Sequence, residues 1–153
     1  MDYYWDDLEI GFTQRFGPIA VDRDEVLAFA ERYDPQPFHL SDEAAAETHF
    51  GRLAASGWHS CAMMMGALVR HWQQTPGWQE ASLGALGLDE LRWRKPVFPG
   101  DTLHGVTEVI EKIESKSRPE MGILKMRMQL VNQHDEEVLS LVSVVLRKRR
   151  PQS

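Results

Sequence analysis

The stretch Trp58-His59-Ser60-Cys61-Ala62-Met63-Met64-Met65-Gly66-Ala67-Leu68-Val69-Arg70-His71-Trp72 decides the fold. Trp58, Cys61, Ala62, Met65, Leu68, Val69 and Trp72 recur at three- and four-residue steps, which is helical spacing. The opposite face holds Met63, Met64 and Ala67, so the helix is apolar almost all round. Such a helix is expected in the middle of a domain. Pro76-Gly77 stops it. The longest run without a formal charge, Leu53 to Val69, falls short of the ~20 apolar residues of a membrane span, so no membrane partner is expected.

Upstream, Thr13 to Val21 reads as a strand interrupted by Gly17-Pro18. Asp22 and Glu25 form a capping-box-like pair, and Val26, Phe29, Ala30 and Tyr33 then keep helical spacing. Asp34-Pro35 ends that helix, because the residue before proline is pushed out of the α region. Ser41 can cap a short helix reaching about Glu47.

Downstream, the periodicity changes to strands. Leu86 to Val97 is expected as one, closed by a type II turn at Phe98-Pro99-Gly100-Asp101. Val106 to Ile113 is rich in β-branched residues. Leu124, Met126, Met128 and Leu130 alternate with Lys125, Arg127 and Gln129, as on a strand with one wet face. Val138 to Leu146 is apolar on both faces and suits a more central strand, after a hairpin turn at Asn132 to Glu136. The fold class is α+β: an antiparallel sheet of about five strands wrapped around one long central helix. Unpaired sheet edges point to a homodimer or higher homo-oligomer.

The 153 residues suffice for one domain, 1–153. The formal net charge of −6 argues against a nucleic-acid partner, which needs a basic surface. A single cysteine, Cys61, excludes an internal disulfide and a four-cysteine zinc site. His49, His59, His71, His104 and His134 make no metal-binding pattern, so no metal is expected. Met1 to Asp7 is acidic and aromatic, unlike a signal peptide, and the expected location is cytoplasmic.

The chemistry concentrates in Asp34-Pro35-Gln36-Pro37-Phe38-His39. In an extended chain Asp34 and His39 would lie about 16 Å apart, so they share a water only if the segment folds back. Two prolines stiffen it and reduce the entropy lost in holding such a shape. A carboxylate and an imidazole facing one water make a general acid/base pair. The spacing also allows a simpler reading, with Asp34 turning the chain and His39 packing on the next helix. The second feature is Ala55-Ser56-Gly57-Trp58. Unpaired N–H groups at a helix start can stabilise an enolate oxygen, and glycine lets a ligand approach. Here too a plainer reading stands, with Ser56 simply capping the helix.

Taken in order, these residues resemble the MaoC-like dehydratases, hotdog-fold proteins that include the (R)-specific enoyl-CoA hydratases. Asp34, Pro37 and His39 match the family's D-x-N-P-aliphatic-H pattern, with Gln36 at the asparagine and Phe38 at the aliphatic position. Ser56-Gly57-Trp58 stands where His-Gly-Met is usual. Lys95-Pro96-Val97-Phe98-Pro99-Gly100-Asp101 looks like the family's K-x-P-V-x-x-G-D turn, preceded by Arg94. The likeness implies water addition across the 2,3 double bond of an acyl-CoA thioester, or its reverse. Asp34 would be the main base, His39 would share in water activation, and the Gly57 N–H would bind the thioester oxygen. Gln36 and Ser56 would orient these groups. Phe38, Trp58, Arg92 and Arg94 would contact the substrate. Coenzyme A enters as part of the substrate and no cofactor is needed.

A hotdog thioesterase and a non-catalytic acyl-CoA-binding subunit are the alternatives. Met63-Met64-Met65 fits core filling or an acyl tunnel, and Trp58 and Trp72 fit core or dimer interface. Cys61 reads as a small buried hydrophobe. The basic end Arg147-Lys148-Arg149-Arg150 fits a solvated strand end or a site for coenzyme A phosphates.

Overall fold

The computed structural model describes residues 2–152. One antiparallel sheet holds β1 (Thr13–Ala20), β2 (Ser82–Trp93), β3 (Thr102–Glu114), β4 (Met121–Val131) and β5 (Glu137–Lys148), in the order β1-β3-β4-β5-β2. The helices α1 (Arg23–Tyr33), α2 (Asp42–Ala46) and α3 (Gly57–Gln73) all fall between β1 and β2. Since β1 and β2 are the two edges, the helical half carries the chain across the full width of the sheet.

Local chemistry sets the boundaries. The Glu25 N–H donates to Asp22 Oδ2 at 3.0 Å and starts α1. The Asp34 N–H closes α1 on Ala30 O before Pro35 breaks it. Ser41 Oγ accepts from the Ala44 N–H and starts α2. At the turn after β2 the Asp101 N–H donates to Phe98 O, and Gly100 takes φ +93°, as a type II turn requires.

The core lies between α3 and one face of the sheet. Leu124, Met126, Met128 and Leu130 of β4 bury against Met64 and Leu68 of α3. Burying one such side chain contributes about 1.5–3 kcal/mol. Lys125, Arg127 and Gln129 point the other way, and Arg127 is exposed. β3 needs glycine at Gly105, where any Cβ would run into the Phe16 ring.

Three expectations are corrected. The sheet does not cover all of α3: Met64, Ala67 and Leu68 are buried while Trp58, Ala62 and Met65 are exposed. An apolar surround therefore does not mean burial in the single chain, because one sheet covers one side of a helix. β2 runs four residues earlier than its apolar pattern suggested. It ends where Trp93 pairs with Leu139, ahead of Pro96, which has no N–H to donate. Its leucines Leu83, Leu86 and Leu88 are exposed on a strand with only one neighbour. Finally, the basic end is not an open anion site. Arg149 pairs with Asp6 at 2.7 Å, Arg150 with Asp7 and Asp2, and Arg147 is buried. The acidic N-terminal segment neutralises it. No helix among the described residues is long and apolar enough to cross a membrane.

Candidate active site

The loop after α1 folds back through a 3-10 turn at Pro37–His39. Pro37 sits at its start, where a missing N–H costs nothing. The turn brings His39 Nε2 to 3.4 Å from Asp34 Oδ2. His39 is buried, and its Nδ1 lies 2.7 Å from Ala54 O. A carbonyl only accepts, so Nδ1 carries the hydrogen and Nε2 is the atom that exchanges a proton with Asp34 or a shared water. Ala54 is held in turn: the neighbouring Ala55 N–H donates to Val97 O, and the Leu53 N–H to Asp42 Oδ1.

Asp34 is itself fixed on both oxygens. Ser56 Oγ donates to Oδ2 at 2.7 Å and Gln36 Nε2 to Oδ1 at 2.6 Å. The longer glutamine chain thus reaches the carboxylate. Ser56 does not cap α3, whose first turn has no side-chain cap, because its hydroxyl is committed to Asp34. Burial alone would raise the Asp34 carboxyl. Hydrogen bonds from Ser56 and Gln36 and the charge of His39 outweigh it, and the group stays below the usual carboxylate range. Asp34 is therefore an ionised base at neutral pH. Ser56→Ala removes one stabiliser of the charged form, so the Asp34 carboxyl should titrate at higher pH than in the parent chain. Carboxyl carbon NMR across the acid range measures this, and an unchanged or lower midpoint contradicts the assignment.

Gly57 opens α3. Its N–H and that of Trp58 have no acceptor among the described residues, so the start of α3 carries two open donors with helix-terminal positive character. Trp93, at the end of β2, lies across Gly57: a Cβ there would stand 2.6 Å from Trp93 Cδ2 and Nε1. Trp58 meets Trp93 edge-to-face at 5.1 Å, and both rings are about half exposed.

Asp34, Gln36, His39, Gly57, Trp58 and Arg94 share one pocket of about 450 Å³. Ser56 reaches it through Asp34. Phe38 does not line it; its ring supports His39 at 4.6 Å and Phe50 at 5.3 Å. Arg92 does not line it either. It lies in an adjoining cleft with Arg127 and Gln129, on the wet face of the sheet, and Arg94 lines that cleft as well as the pocket. Arg94 is held at the rim by Glu137 at 3.0 Å and Ser140 at 3.1 Å. Sequence reasoning did not assign His49, Phe50, Trp93 or Lys95, all of which line the pocket. Lys95 stood in a quoted motif, but no spacing pointed to the other three.

The family model described as MaoC like domain matches residues 8–130, most of the chain and all of the pocket loop. The chain belongs to the MaoC-like dehydratase family. A MaoC-like dehydratase from Rhodospirillum rubrum has the same fold, at TM-score 0.86 and 39% identity, over 98% of this chain and 99% of that one. The uncharacterized protein YdeM of Bacillus subtilis is 28% identical over 144 residues, 94% of this chain and 98% of its own length. A 3-hydroxybutyryl-CoA dehydratase of Methylorubrum extorquens is 31% identical over 121 residues, 78% of this chain and 71% of its length. In this MaoC-like chain the carboxylate and imidazole of one loop and the start of α3 converge on one pocket although they come from two separate segments.

Proposed function

We propose that the chain is a hydro-lyase that adds water across the 2,3 double bond of a trans-2-enoyl-CoA thioester, giving the (R)-3-hydroxyacyl product, or removes it in reverse. One observation carries this reading: Asp34 and His39 Nε2 face each other at 3.4 Å in a pocket also lined by Gly57, whose N–H has no acceptor among the described residues. Asp34 takes a proton from the water as its oxygen bonds to C3. His39 Nε2, 3.4 Å from Asp34, takes that proton from the carboxylate and delivers it to C2, so that both groups end as they began. The Gly57 N–H holds the thioester oxygen as negative charge builds on it, a contact worth about 3 kcal/mol. Ser56 and Gln36 keep the carboxylate aimed. Arg94 and Lys95 at the rim offer positive charge to the coenzyme A portion of the substrate. No step asks for a metal or a redox cofactor. The 31% identity to a 3-hydroxybutyryl-CoA dehydratase supports this class of substrate. The exposed β2 edge, with Leu83, Leu86 and Leu88, supports a homodimer.

Crotonyl-CoA and longer trans-2-enoyl-CoA esters test the reading. Purified protein should cause loss of the ultraviolet absorbance of the conjugated double bond without release of free thiol. Thiol release with the double bond intact would make the chain a thioesterase. Tight binding without turnover across the panel would make it a non-catalytic subunit.

A further inference from the structure

A groove runs between β1 and α3 and meets the start of α1. Arg15 lines it from β1, Glu25 from α1, and Met63, Ala67, Arg70 and His71 from α3. Its volume is about 490 Å³, within the ~300–1,000 Å³ typical of ligand pockets. It shares no lining residue with the catalytic pocket. β1 is one edge of the sheet, so no strand of this chain lies beyond it. The two walls are tied together, because Trp72 Nε1–H, next to His71, donates at 3.1 Å to Oε1 of Gln14, next to Arg15.

The chain has twelve arginines. Ten have a partner among the described residues, whether a carboxylate, a carbonyl or an aromatic ring. The two without one, Arg15 and Arg70, line this same groove. Scarcity of carboxylates is not the reason, since acidic residues outnumber Lys and Arg by 23 to 17. The negative end of α3 accounts for Arg70 and His71, which sit in its last turn. It does not account for Arg15, which comes from β1. Arg70 is also held in place by its own helix. A Cβ on Gly66 would stand 3.3 Å from Arg70 Nη1 and Nη2, so the guanidinium lies back over the bare backbone one turn earlier.

Two planar forks from different walls suit one head with several negative oxygens. A carboxylate offers two oxygens in one plane, and a single fork takes both. A phosphomonoester offers three on a tetrahedral centre, enough for both forks and the His71 ring. Glu25 on the third wall is an acceptor for hydroxyl groups, and Met63 and Ala67 add apolar surface for a carbon body.

We propose that this groove is a second ligand site that takes a small hydroxylated phosphomonoester. Arg15, Arg70 and His71 hold the phosphate, and Glu25 accepts from a hydroxyl of the carbon body. The site goes beyond the hydration reading and does not depend on it, since the two pockets share no residue.

Ribose 5-phosphate titrated into the full chain by calorimetry tests the proposal, with one saturable site per chain expected. Ribose lacks the phosphate, inorganic phosphate lacks the body, and succinate carries its two charges at opposite ends. Each should bind more weakly by about tenfold or more. Arg15→Gln and Arg70→Gln should each weaken ribose 5-phosphate binding about tenfold, as loss of a charge-assisted hydrogen bond implies. Both side chains are exposed and unpartnered, so thermal unfolding should be the same in the two variants as in the parent chain. Arg94→Gln, at the rim of the catalytic pocket, should leave this binding unchanged. No saturable heat, equal binding of any of the three controls, full affinity in either groove variant, or a loss confined to Arg94→Gln would each overturn the site.

Discussion

Asp34→Asn is expected to lower kcat/KM for enoyl-CoA hydration by about 1,000-fold while the chain stays folded. Asparagine has nearly the same shape and can still accept from Ser56, so the loop keeps its main support. What disappears is the ionised oxygen 3.4 Å from His39 Nε2, which takes the proton from the water in the proposed reaction. His39→Ala should also reduce turnover strongly, but with a structural cost, since it leaves Ala54 O without its buried donor. The two should therefore be separated by thermal unfolding measured beside the rate assay. The pH dependence has a definite sign. The Asp34 pKa is lowered, so the base is ionised across the neutral range. Activity should persist as pH falls and fail only below the ordinary carboxylate range. Activity of Asp34→Asn within tenfold of the parent chain would remove the catalytic assignment.

Gly57→Ala should be the second large effect, by a different route. The new methyl has no room, because Trp93 already occupies its position. Either the ring leaves or the first turn of α3 shifts, at a cost of about 1–3 kcal/mol. A shift of about 1 Å in the donor N–H is enough to lose about 100-fold in rate. Trp93→Ala in the same chain restores the room. The double variant should recover the stability and most of the rate, read by thermal unfolding and by crotonyl-CoA turnover. A Gly57→Ala chain as stable and as active as the parent would show that neither the contact nor the donor matters.

Much of this site was legible in the chain itself. Asp34 and His39 stood out because two prolines fix the short segment between them, and a short stiff loop has few ways to run. Gly57 stood out because a helix start with a glycine is a local pattern. The role of Ser56 was harder to see. Its spacing fits a helix cap, and only the fold-back of Asp34 shows that the hydroxyl goes elsewhere. Trp93 was invisible at that level, since it meets Gly57 only when β2 is paired with β5 at the sheet edge. Arg92 and Arg94 are two residues apart and seemed equivalent. Both line the cleft on the wet face, but β2 ends at Trp93, so Arg94 on the loop also reaches the catalytic pocket while Arg92, still in the strand, does not.

The sequence by itself determined the order of elements, the α1 and α2 caps, the β4 alternation and the stiff acid–imidazole loop. These are local properties, set by hydrogen bonds and periodicity over a few residues. Tertiary structure decided which side of α3 is covered, how the basic end is neutralised by Asp6 and Asp7, and which side chains close the pocket. Those depend on contacts between segments tens of residues apart. A sequence states the apolarity of a helix face, but only packing states what stands against it.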